Sequence, residues 1–487
     1  MHSDPMMINF EHVPDELSLD YDICIIGTGP AGMSVALESL GQGKRIALIE
    51  SGQVDYDDDT QALYQGDVVG HDHYDLDACR LRYLGGSSNC WNGWCAPFDT
   101  VDFEKRDYIP FSGWPITKDD LKDAYTRAGA LCEIGAHAFG DINELAPSAD
   151  FPAFDPDRIE LVYRRYSPPT RFGDTYRSAL EEAPDLDLIL GANATQVMLN
   201  DDGTAVSKIT LSSLSGKSRP IRAKQFVLAC GGIENARLLL ASNSQVSAGV
   251  GNQNDQVGRY FMEHPFAISG LVYAPGLDPF LVDGQVIDGI EHDGLYRIGT
   301  ALQRRKSLVA STLFHHSDPD EQELFSWGGR DLPADAGDMT RYVLMSQSEQ
   351  APDPHSRVML SSRRDPFGHP LAKLDWKLNE IDKRSVFENV KALGVEYARL
   401  GMGRVKLADW LLNDDAMYGF SAGTHHMGTT RMGVDPKTSV VDENCKIHGI
   451  ANLYMAGSSV FTTSSWANPT LTLIALAVRL ADHLKTS

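Results

Sequence analysis

A glycine-rich turn near the start of the chain separates an apolar run from a helix pattern, within YDICIIGTGPAGMSVALESLGQGKRIALIESG. The run from Ile23 to Ile26 is short and apolar, which is typical of a buried strand. The turn reads Gly27-x-Gly29-x-x-Gly32, and the helix pattern continues through Leu40. A second strand pattern, RIALIE, follows. The stretch therefore predicts a strand–turn–helix–strand unit of an α/β sheet.

This unit has the composition of a dinucleotide-binding site. Gly27 permits the tight turn, Gly29 lets a pyrophosphate approach the backbone, and Gly32 lets the helix pack closely on the strand. The N-terminus of the helix, at Pro30 and Ala31, presents unpaired N–H groups to the phosphates. Glu50 lies 18 residues past the last glycine, where its carboxylate can accept hydrogen bonds from ribose hydroxyls. The fingerprint alone leaves FAD and NAD both open.

Length and charge exclude several classes of protein. A chain of 487 residues is long enough for two or more lobes. Its formal net charge of −24 argues against nucleic acid as a partner, because an acidic surface repels phosphate backbones. The longest apolar helix pattern, LTLIALAVRLADHL, is short and carries charges, so no membrane span is expected.

The cysteines and the N-terminus point to a cytoplasmic setting. The seven cysteines are scattered, and none form a CxxC pair, so we expect free thiols and no metal site. The acidic start, MHSDPMMINFEHVPDEL, has neither the basic nor the apolar region of a secretory signal. Export on a partner subunit stays open.

Three further stretches resemble the glucose–methanol–choline (GMC) family of flavin oxidoreductases. They are YLGGSSNCWNGWCAPFDTVDF, VGRYFMEHP and NLYMAGSSVFTTSSWANPTLTLIALAVRLADHL. Their order and spacing cover the whole chain. Within the family the sequence looks closest to the sugar-oxidising branch, which holds pyranose oxidases, glycoside 3-dehydrogenases and C-glycoside oxidases. EQAPDPHSRVML supports that branch.

The resemblance implies an α/β fold, α+β overall: a Rossmann-like FAD-binding domain with an antiparallel-sheet substrate domain, as in the GMC and PHBH-like folds. The implied FAD-binding domain is discontinuous and comprises residues 1–100, 188–265 and 405–487. The implied substrate-binding domain comprises residues 101–187 and 266–404.

The family's catalytic segment has the form His-x-x-Gly-Thr-x-x-Met-Gly. His425 takes the first place of that form in HHMGTTRMG, whereas His426 falls on a variable position. The second member of the family's catalytic pair is Asn or His, and here it is Asn468, 43 residues downstream. A neutral imidazole can take the hydroxyl proton of an alcohol near pH 7, while flavin N5 takes the hydride. An amide can hold the substrate oxygen. We therefore expect His425 to be the general base and His426 to be structural or part of the pocket wall.

The resemblance also implies further flavin contacts. Cys90 stands where pyranose oxidases carry the histidine that links covalently to the flavin, so we expect non-covalent FAD. Asn92 is expected near flavin N5, and Val197 near the adenine through its backbone. His264, in MEHP, is expected to be a structural residue packed under the flavin. The other expected cofactor contacts are Gly86, Ser87, Asn89, Gly93, Gly457, Ser458, Asn468, Pro469 and Thr470.

The expected reaction is oxidation of a secondary hydroxyl of a sugar or glycoside to a ketone, at C2 or C3 of a pyranose. Oxidation of a non-sugar alcohol, and a non-redox lyase of the same family, stay open as alternatives. The expected partners are the sugar or alcohol substrate and O2 or another electron acceptor, with a homo-oligomer or a small partner subunit possible.

Overall fold

The computed structural model describes residues 6–14, 19–135, 139–316, 339–413, 417 and 419–486. The strands in the described part are β1 (Met6–Asn9), β2 (Asp20–Ile26), β3 (Ile46–Ile49), β4 (Gly66–Gly70), β5 (Trp94–Cys95), β6 (Ile159–Tyr166), β7 (Leu186–Leu190), β8 (Asn193–Leu199), β9 (Val206–Ser212), β10 (Ser218–Leu228), β11 (Pro265–Ala274), β12 (Gln285–Ile287), β13 (Ile290–Ile298), β14 (Ser311–His316), β15 (Thr340–Ser348), β16 (Arg357–Arg364), β17 (Pro370–Trp376), β18 (Arg404–Leu407), β19 (Ser421–Ala422) and β20 (Leu453–Met455). The α-helices there are α1 (Pro30–Ser39), α2 (Asp58–Gln61), α3 (Thr100–Phe103), α4 (Lys122–Leu131), α5 (Ile142–Leu145), α6 (Phe172–Thr175), α7 (Arg177–Glu181), α8 (Gly231–Ala241), α9 (Thr300–Lys306), α10 (Glu380–Leu400) and α11 (Pro469–Thr486).

The first sheet is parallel at its centre. Its order is β1-β7-β3-β2-β10-β9-β8, and β20 pairs with the other side of β10. The pairs β1–β7, β7–β3, β3–β2, β2–β10 and β10–β20 are parallel. The pairs β10–β9 and β9–β8 are antiparallel. All four residues of β3 are buried, as expected for a strand covered on both faces. The predicted strand–turn–helix–strand unit is confirmed, with the helix ending at Ser39.

The second sheet is antiparallel. Its order is β18-β11-β15-β14-β13-β6-β5, with β12 on β13 and β19 on β11. The segments SRVMLSS and LAKLDWKL contribute to β16 and β17, which pair with each other and with β4 in a separate three-stranded sheet. The mixed α/β architecture is thus confirmed. The proposed division of the chain into two domains stays a prediction.

The parallel strands bring the ends of four distant segments to one edge. Parallel strands present their carboxyl ends at the same edge of a sheet, where ligands bind in open α/β folds. The residues that follow the strands there are Gly27 after β2, Glu50 after β3, Cys230 after β10 and Gly457 after β20. The C-terminal helix α11 packs against α1 and α4, which places its first residues beside the same edge.

In the described part of the chain, no helix is both long and apolar enough to cross a membrane. The residues of LTLIALAVRLADHL belong to α11.

Candidate active site

A cavity of about 540 Å³ runs along this edge and into the space between the two larger sheets. A volume of this size is in the range of small-molecule and cofactor sites. Its walls include most of the residues expected to bind a cofactor or to catalyse: Gly27, Gly29, Pro30, Ala31, Glu50, Gly86, Ser87, Cys90, Asn92, Gly93, His425, Gly457, Ser458, Asn468, Pro469 and Thr470.

Each glycine of the first turn has a distinct steric reason. Gly27 has φ +106°, and a Cβ there would lie 2.5 Å from the carbonyl oxygen of Ala229. A Cβ on Gly32 would lie 1.9 Å from the carbonyl oxygen of Gly27, so α1 can pack this closely only with glycine. Gly29 lines the cavity, and a Cβ there would meet no protein atom within 4 Å. The backbone at Gly29 is therefore open to a ligand.

The N-terminus of helix α1 provides an anion site. Pro30 is its first residue, and no side chain caps the N-terminus. The unpaired N–H groups of the first turn therefore face the cavity with the positive end of the helix dipole. This is the feature expected to hold a diphosphate.

Glu50 is held in a fixed orientation at the end of β3. One carboxylate oxygen accepts hydrogen bonds from the Thr28 backbone N–H (3.1 Å) and the Thr28 hydroxyl (2.5 Å). The other accepts from the Gly52 N–H (2.9 Å) and the Ser51 hydroxyl (3.0 Å). The carboxylate is buried yet lines the cavity, as expected for a group that receives ribose hydroxyls.

The second glycine segment closes over the first. A Cβ on Gly86 would lie 3.1 Å from the Cα of Gly29, so the two turns are in close approach. The Arg171 guanidinium donates to the carbonyl oxygens of Ser88 (2.6 Å) and Trp91 (3.1 Å), which fixes the loop between them. Cys90 is exposed, and its thiol donates to the Ser87 carbonyl oxygen at 3.4 Å.

Three predicted cofactor residues do not line this cavity. Gly32 acts through packing, as described above. The Asn89 amide donates to the Leu84 carbonyl oxygen (2.9 Å), and Asn89 lines a neighbouring pocket. Val197 is buried, and its backbone N–H donates to the Ser242 hydroxyl (2.9 Å). Ala192 and Ala194 form the cavity wall in the Val197 region instead.

The loop that carries the adjacent histidines is fastened to the VGRYFMEHP segment. Met262 and Met427 exchange two backbone hydrogen bonds of 3.0 Å, and the Gly423 N–H donates to the His264 carbonyl oxygen (3.1 Å). The His425 N–H donates to Glu263 Oε2 at 2.7 Å. Gly428, with φ +86°, passes so close to Tyr260 that a Cβ would lie 2.1 Å from its carbonyl oxygen. These contacts set the direction of both imidazoles.

His425 and His264 form a pair whose protons can be assigned. His264 Nε2 lies 3.0 Å from the carbonyl oxygens of Ser464 and Ser465. Carbonyl oxygens only accept, so His264 Nε2 carries hydrogen and Nδ1 of the neutral ring is an acceptor. His425 Nδ1 lies 2.9 Å from that Nδ1 and must donate to it. His425 Nε2 is then left with its lone pair.

Asn468 is the partner of that lone pair. Its Nδ2 lies 3.3 Å from His425 Nε2. The amide orientation is fixed, since Gln347 Nε2 donates to the Trp466 carbonyl oxygen (2.7 Å) and to Asn468 Oδ1 (2.7 Å). The chain of hydrogen bonds from His264 through His425 and Asn468 to Gln347 is therefore anchored at both ends on backbone carbonyl groups of residues 464–466. Ser465 has φ +57°, and its hydroxyl donates to the buried Asp102 carboxylate at 2.6 Å.

The surroundings keep this base neutral. Burial, and then the neighbouring His264, hold the pKa of His425 well below its usual range. Burial likewise lowers the pKa of His264. A neutral His425 whose Nε2 is unprotonated and lies in a cavity can accept a proton from a hydroxyl group.

His426 faces the other side of its loop. Its Nε2 lies 3.4 Å from Glu263 Oε1 and 3.6 Å from the Cys79 sulfur. Burial, then His73, Arg80 and His425, lower the pKa of His426 well below its usual range. The two imidazoles therefore have different partners: His425 Nε2 lies beside Asn468, and His426 Nε2 lies beside Glu263 and Cys79.

Several cavity residues were not anticipated from the sequence. They come from strands and loops with no local motif, so only the tertiary fold brings them together: Tyr74, Cys79, Arg82, Trp94, Ala194, Glu234, Phe266 and Gln347. The turn ACGGIE, which follows β10, was a usable signal for Cys230, Gly231 and Glu234, because it repeats the strand, glycine turn and helix order.

The charged groups lie at the nucleotide end. Glu234 contacts Arg80 (2.9 Å), Arg237 (3.0 Å) and Arg82 (3.7 Å). Burial raises the pKa of Glu234, but the three guanidinium groups outweigh burial and hold the pKa at about 2. The ion cluster is therefore charged at any physiological pH.

The residues present fit FAD. The open backbone at Gly29, the uncapped helix and the fixed Glu50 would hold the ADP half. The Gly86–Gly93 loop and the Gly457–Ser458 turn would enclose the remainder. The His425–Asn468 pair lies in the same cavity, where an alcohol carbon would have to meet the flavin.

Comparison with known proteins agrees with this geometry. Residues 352–477, which include both His425 and Asn468, match the GMC oxidoreductase family model. The 6'''-hydroxyparomomycin C oxidase of Streptomyces lividus is 26% identical over 533 residues, covering 95% of this chain and 92% of that protein. The C-glycoside 3-oxidase of Microbacterium trichothecenolyticum is 28% identical over 309 residues, covering 62% of this chain and 54% of that protein.

Solved structures share the fold. The crystal structure of pyridoxine 4-oxidase from Mesorbium loti superposes with a TM-score of 0.59 at 18% identity, covering 95% of this chain and 98% of that one. The fold and the site together define an FAD-dependent oxidoreductase that acts on CH–OH groups. More narrowly, residues 352–477 match the C-terminal domain of GMC oxidoreductases, and the chain is similar over most of its length to an oxidase such as that of Streptomyces lividus.

Proposed function

We propose that this enzyme oxidises a secondary hydroxyl of a sugar or glycoside to a ketone, at C2 or C3 of a pyranose, with His425 as general base. The observation that carries the proposal is the unprotonated Nε2 of His425, which lies 3.3 Å from Asn468 Nδ2. His425 is held there by its hydrogen bond to His264, which in turn donates to backbone carbonyl groups.

The reaction divides between these two residues. His425 Nε2 takes the hydroxyl proton, and Nδ1–H keeps its hydrogen bond to His264 while the ring carries charge. Asn468 Nδ2 holds the substrate oxygen as the C=O bond forms. When bound, FAD supplies the acceptor for the hydride that leaves the same carbon.

The catalytic end of the cavity favours a neutral, hydroxyl-rich substrate. Among described residues, the wall at this end carries aromatic and amide groups, such as Trp94, Phe266 and Gln347. The charged side chains Glu50, Arg82 and Glu234 lie at the other end, around Cys230. Gln347 Oε1 has no hydrogen-bond partner within the described part and can accept from a substrate hydroxyl. The names of the two relatives, a 6'''-hydroxyparomomycin C oxidase and a C-glycoside 3-oxidase, support a glycoside.

The experiment is anaerobic mixing of the FAD-loaded enzyme with a panel of neutral sugars, C-glycosides, O-glycosides and amino sugars. Neutral glycosides should bleach the flavin absorbance, and the product should have lost two hydrogen atoms and react with a ketone reagent. Admission of air then shows whether O2 is the electron acceptor. Bleaching by simple alcohols with none by any sugar would contradict the sugar assignment, and no bleaching by any alcohol would support the lyase alternative.

We further propose that the flavin is bound non-covalently, because Cys90 stands at the position of the linking histidine and its thiol donates to a backbone carbonyl. Acid denaturation should release yellow flavin into the supernatant. Flavin that stays with the precipitated protein would overturn this proposal.

A further inference from the structure

Four side chains converge beside His426, where the catalytic loop borders the cofactor cavity. His73 Nε2 lies 3.1 Å from Glu263 Oε1, which lies 3.4 Å from His426 Nε2. The ligand atoms of these three residues all lie within 4.8 Å of one another. The Cys79 sulfur lies 3.6 Å from His426 Nε2. None of these groups has a part in the reaction described above.

We propose that His73, Cys79, Glu263 and His426 bind one Zn²⁺ ion or a similar divalent transition metal. The ion would connect the catalytic loop to the segment at residues 73–79. The cysteine spacing gave no sign of such a site, because the ligands come from three separate parts of the sequence.

The spacing of the ligand atoms fits a tetrahedral ion. Zinc bonds of about 2.0–2.2 Å to nitrogen and oxygen and about 2.3 Å to sulfur put neighbouring ligand atoms roughly 3.3–3.6 Å apart. The His73–Glu263, Glu263–His426 and His426–Cys79 separations are 3.1, 3.4 and 3.6 Å. The ligand atoms of His73, Glu263 and His426 already lie within 4.8 Å of one another, whereas the Cys79 sulfur lies outside that group and would have to move toward it to complete the tetrahedron.

The donor set selects the metal. Two imidazoles, one thiol and one carboxylate are the ligand types of zinc sites, whereas Mg²⁺ and Ca²⁺ prefer oxygen alone. The charge also balances: one divalent ion that displaces the thiol proton of Cys79 and the proton shared by His73 and Glu263 leaves the net charge of the cluster unchanged. A buried cluster can make this exchange without an added counter-ion.

The outer hydrogen bonds orient two of the ligands. His73 Nδ1 lies 2.9 Å from the Tyr74 carbonyl oxygen and must donate to it, which directs Nε2 to the cluster. Metal-bound histidines commonly make this second bond. Glu263 places Oε1 in the cluster, while its Oε2 accepts the His425 N–H at 2.7 Å. An ion at this site would thus hold the residue that contacts the backbone of the base.

The cluster is enclosed on the side of His73 and Glu263, whereas Cys79 and His426 border the cofactor cavity. The side chains of His73 and Glu263 have no exposed surface, and that of His426 is 9% exposed. The His73 ring packs edge-on against Trp376 (5.6 Å between centroids) and Phe261 (6.2 Å). Apolar walls favour retention of an ion, because they exclude competing water.

Metal content of the purified holoenzyme, and a Co²⁺ titration of the chelator-treated holoenzyme, test the proposal. We expect one metal ion per chain, and a saturable one-to-one Co²⁺ spectrum in the red region, where oxidised flavin does not absorb. His73→Gln and Cys79→Ser should weaken Co²⁺ binding by at least about tenfold. Cys79→Ser should also remove the sulfur-to-metal contribution to the spectrum.

Matched controls lie nearby. His71→Gln alters a histidine of the same segment whose Nε2 contacts the Phe420 carbonyl oxygen (2.9 Å), and Cys90→Ser alters a thiol in the same cavity. Both should bind Co²⁺ as the wild type does. The simple alternative is a protonated His73 paired with Glu263. Absence of a saturable spectrum, or unchanged binding in both His73→Gln and Cys79→Ser, would establish that alternative and overturn the metal site, whatever the substrate screen shows.

Discussion

His425 and His426 are neighbours in sequence with opposite surroundings. His425 presents a bare Nε2 to Asn468 inside the cavity. His426 presents its Nε2 to Glu263 and Cys79 on the far side of the loop. The pKa of each is lowered, first by burial and then by neighbouring cations or histidines. What separates the two is therefore the partner of each nitrogen and not its protonation.

The comparison shows how one loop can serve two clusters. Glu263 joins them, because one carboxylate oxygen accepts the His425 N–H and the other faces His426. A substitution in the His426 cluster should therefore affect catalysis only by shifting the position of His425. A substitution of His264, His425 or Asn468 should affect the proton transfer directly. The following predictions test this distinction.

The largest effect should follow His425→Ala. General base catalysis typically contributes about 10²–10⁴-fold, so the variant should lose roughly 3–5 kcal/mol in flavin reduction at neutral pH. Part of the loss should return at high pH. His426→Ala should cost less than about tenfold, because its nitrogen does not meet the substrate. Rapid mixing with substrate gives both rates, and a greater loss in His426→Ala would reverse the assignment.

Asn468→Ala should have the next largest effect. Loss of the amide that holds the substrate oxygen should slow flavin reduction by about 10–100-fold. The visible flavin spectrum should stay unchanged, since the residues expected to hold FAD are spread along the whole cavity. Asn468→Asp should also be slow, because a carboxylate cannot donate to the oxygen. Wild-type rates in both variants would remove Asn468 from the mechanism.

The regions that could be predicted from the sequence are those whose residues act on near neighbours in the chain. Gly27, Gly29 and Gly32 act within one turn and one helix, so their roles could be read from spacing alone. The second glycine segment needed the family resemblance. Val197 illustrates the limit: it was expected near the adenine through its backbone, but only the folded sheet shows that its N–H is bound to Ser242.

The catalytic end could be predicted only in part. The register of HHMGTTRMG selected His425, and its role as general base stays a prediction. His264 was expected to be structural, whereas it lies 2.9 Å from His425 and sets its tautomer. Gln347 and the His73 cluster carry no local pattern, because their partners are more than 100 residues away in sequence.

His264→Leu should have an intermediate effect, with a distinctive pH dependence. The substitution removes the acceptor that fixes the His425 tautomer, and should slow flavin reduction by about tenfold. It also removes the neighbour that lowers the pKa of His425, so the acid limb of the rate profile should move to higher pH. His264→Asn, whose oxygen can replace Nδ1 as acceptor, should recover most of the rate. A profile that does not move would show His264 to be structural only.

The smallest effect should be the contribution of His425 to the pH dependence of stability. Its folded pKa is lowered below the unfolded value of about 6.5. The unfolded chain therefore binds a proton below pH 6.5 while the folded chain does not, and stability falls with pH in that window by up to about 1.4 kcal/mol per pH unit.

Two buried carboxyl groups oppose this trend, because burial raises the pKa of Asp102 and of Asp382 to about 7, which stabilises the folded chain as pH falls. The comparison of wild type with His425→Asn cancels both, since each protein contains them. The difference in unfolding free energy, measured with denaturant at several pH values, should be constant above pH 7. Below pH 6.5 it should shift in favour of His425→Asn, which has no imidazole to protonate on unfolding. A difference independent of pH would mean that His425 is protonated as easily in the folded chain as in the unfolded one, and the enclosed neutral base would have to be abandoned.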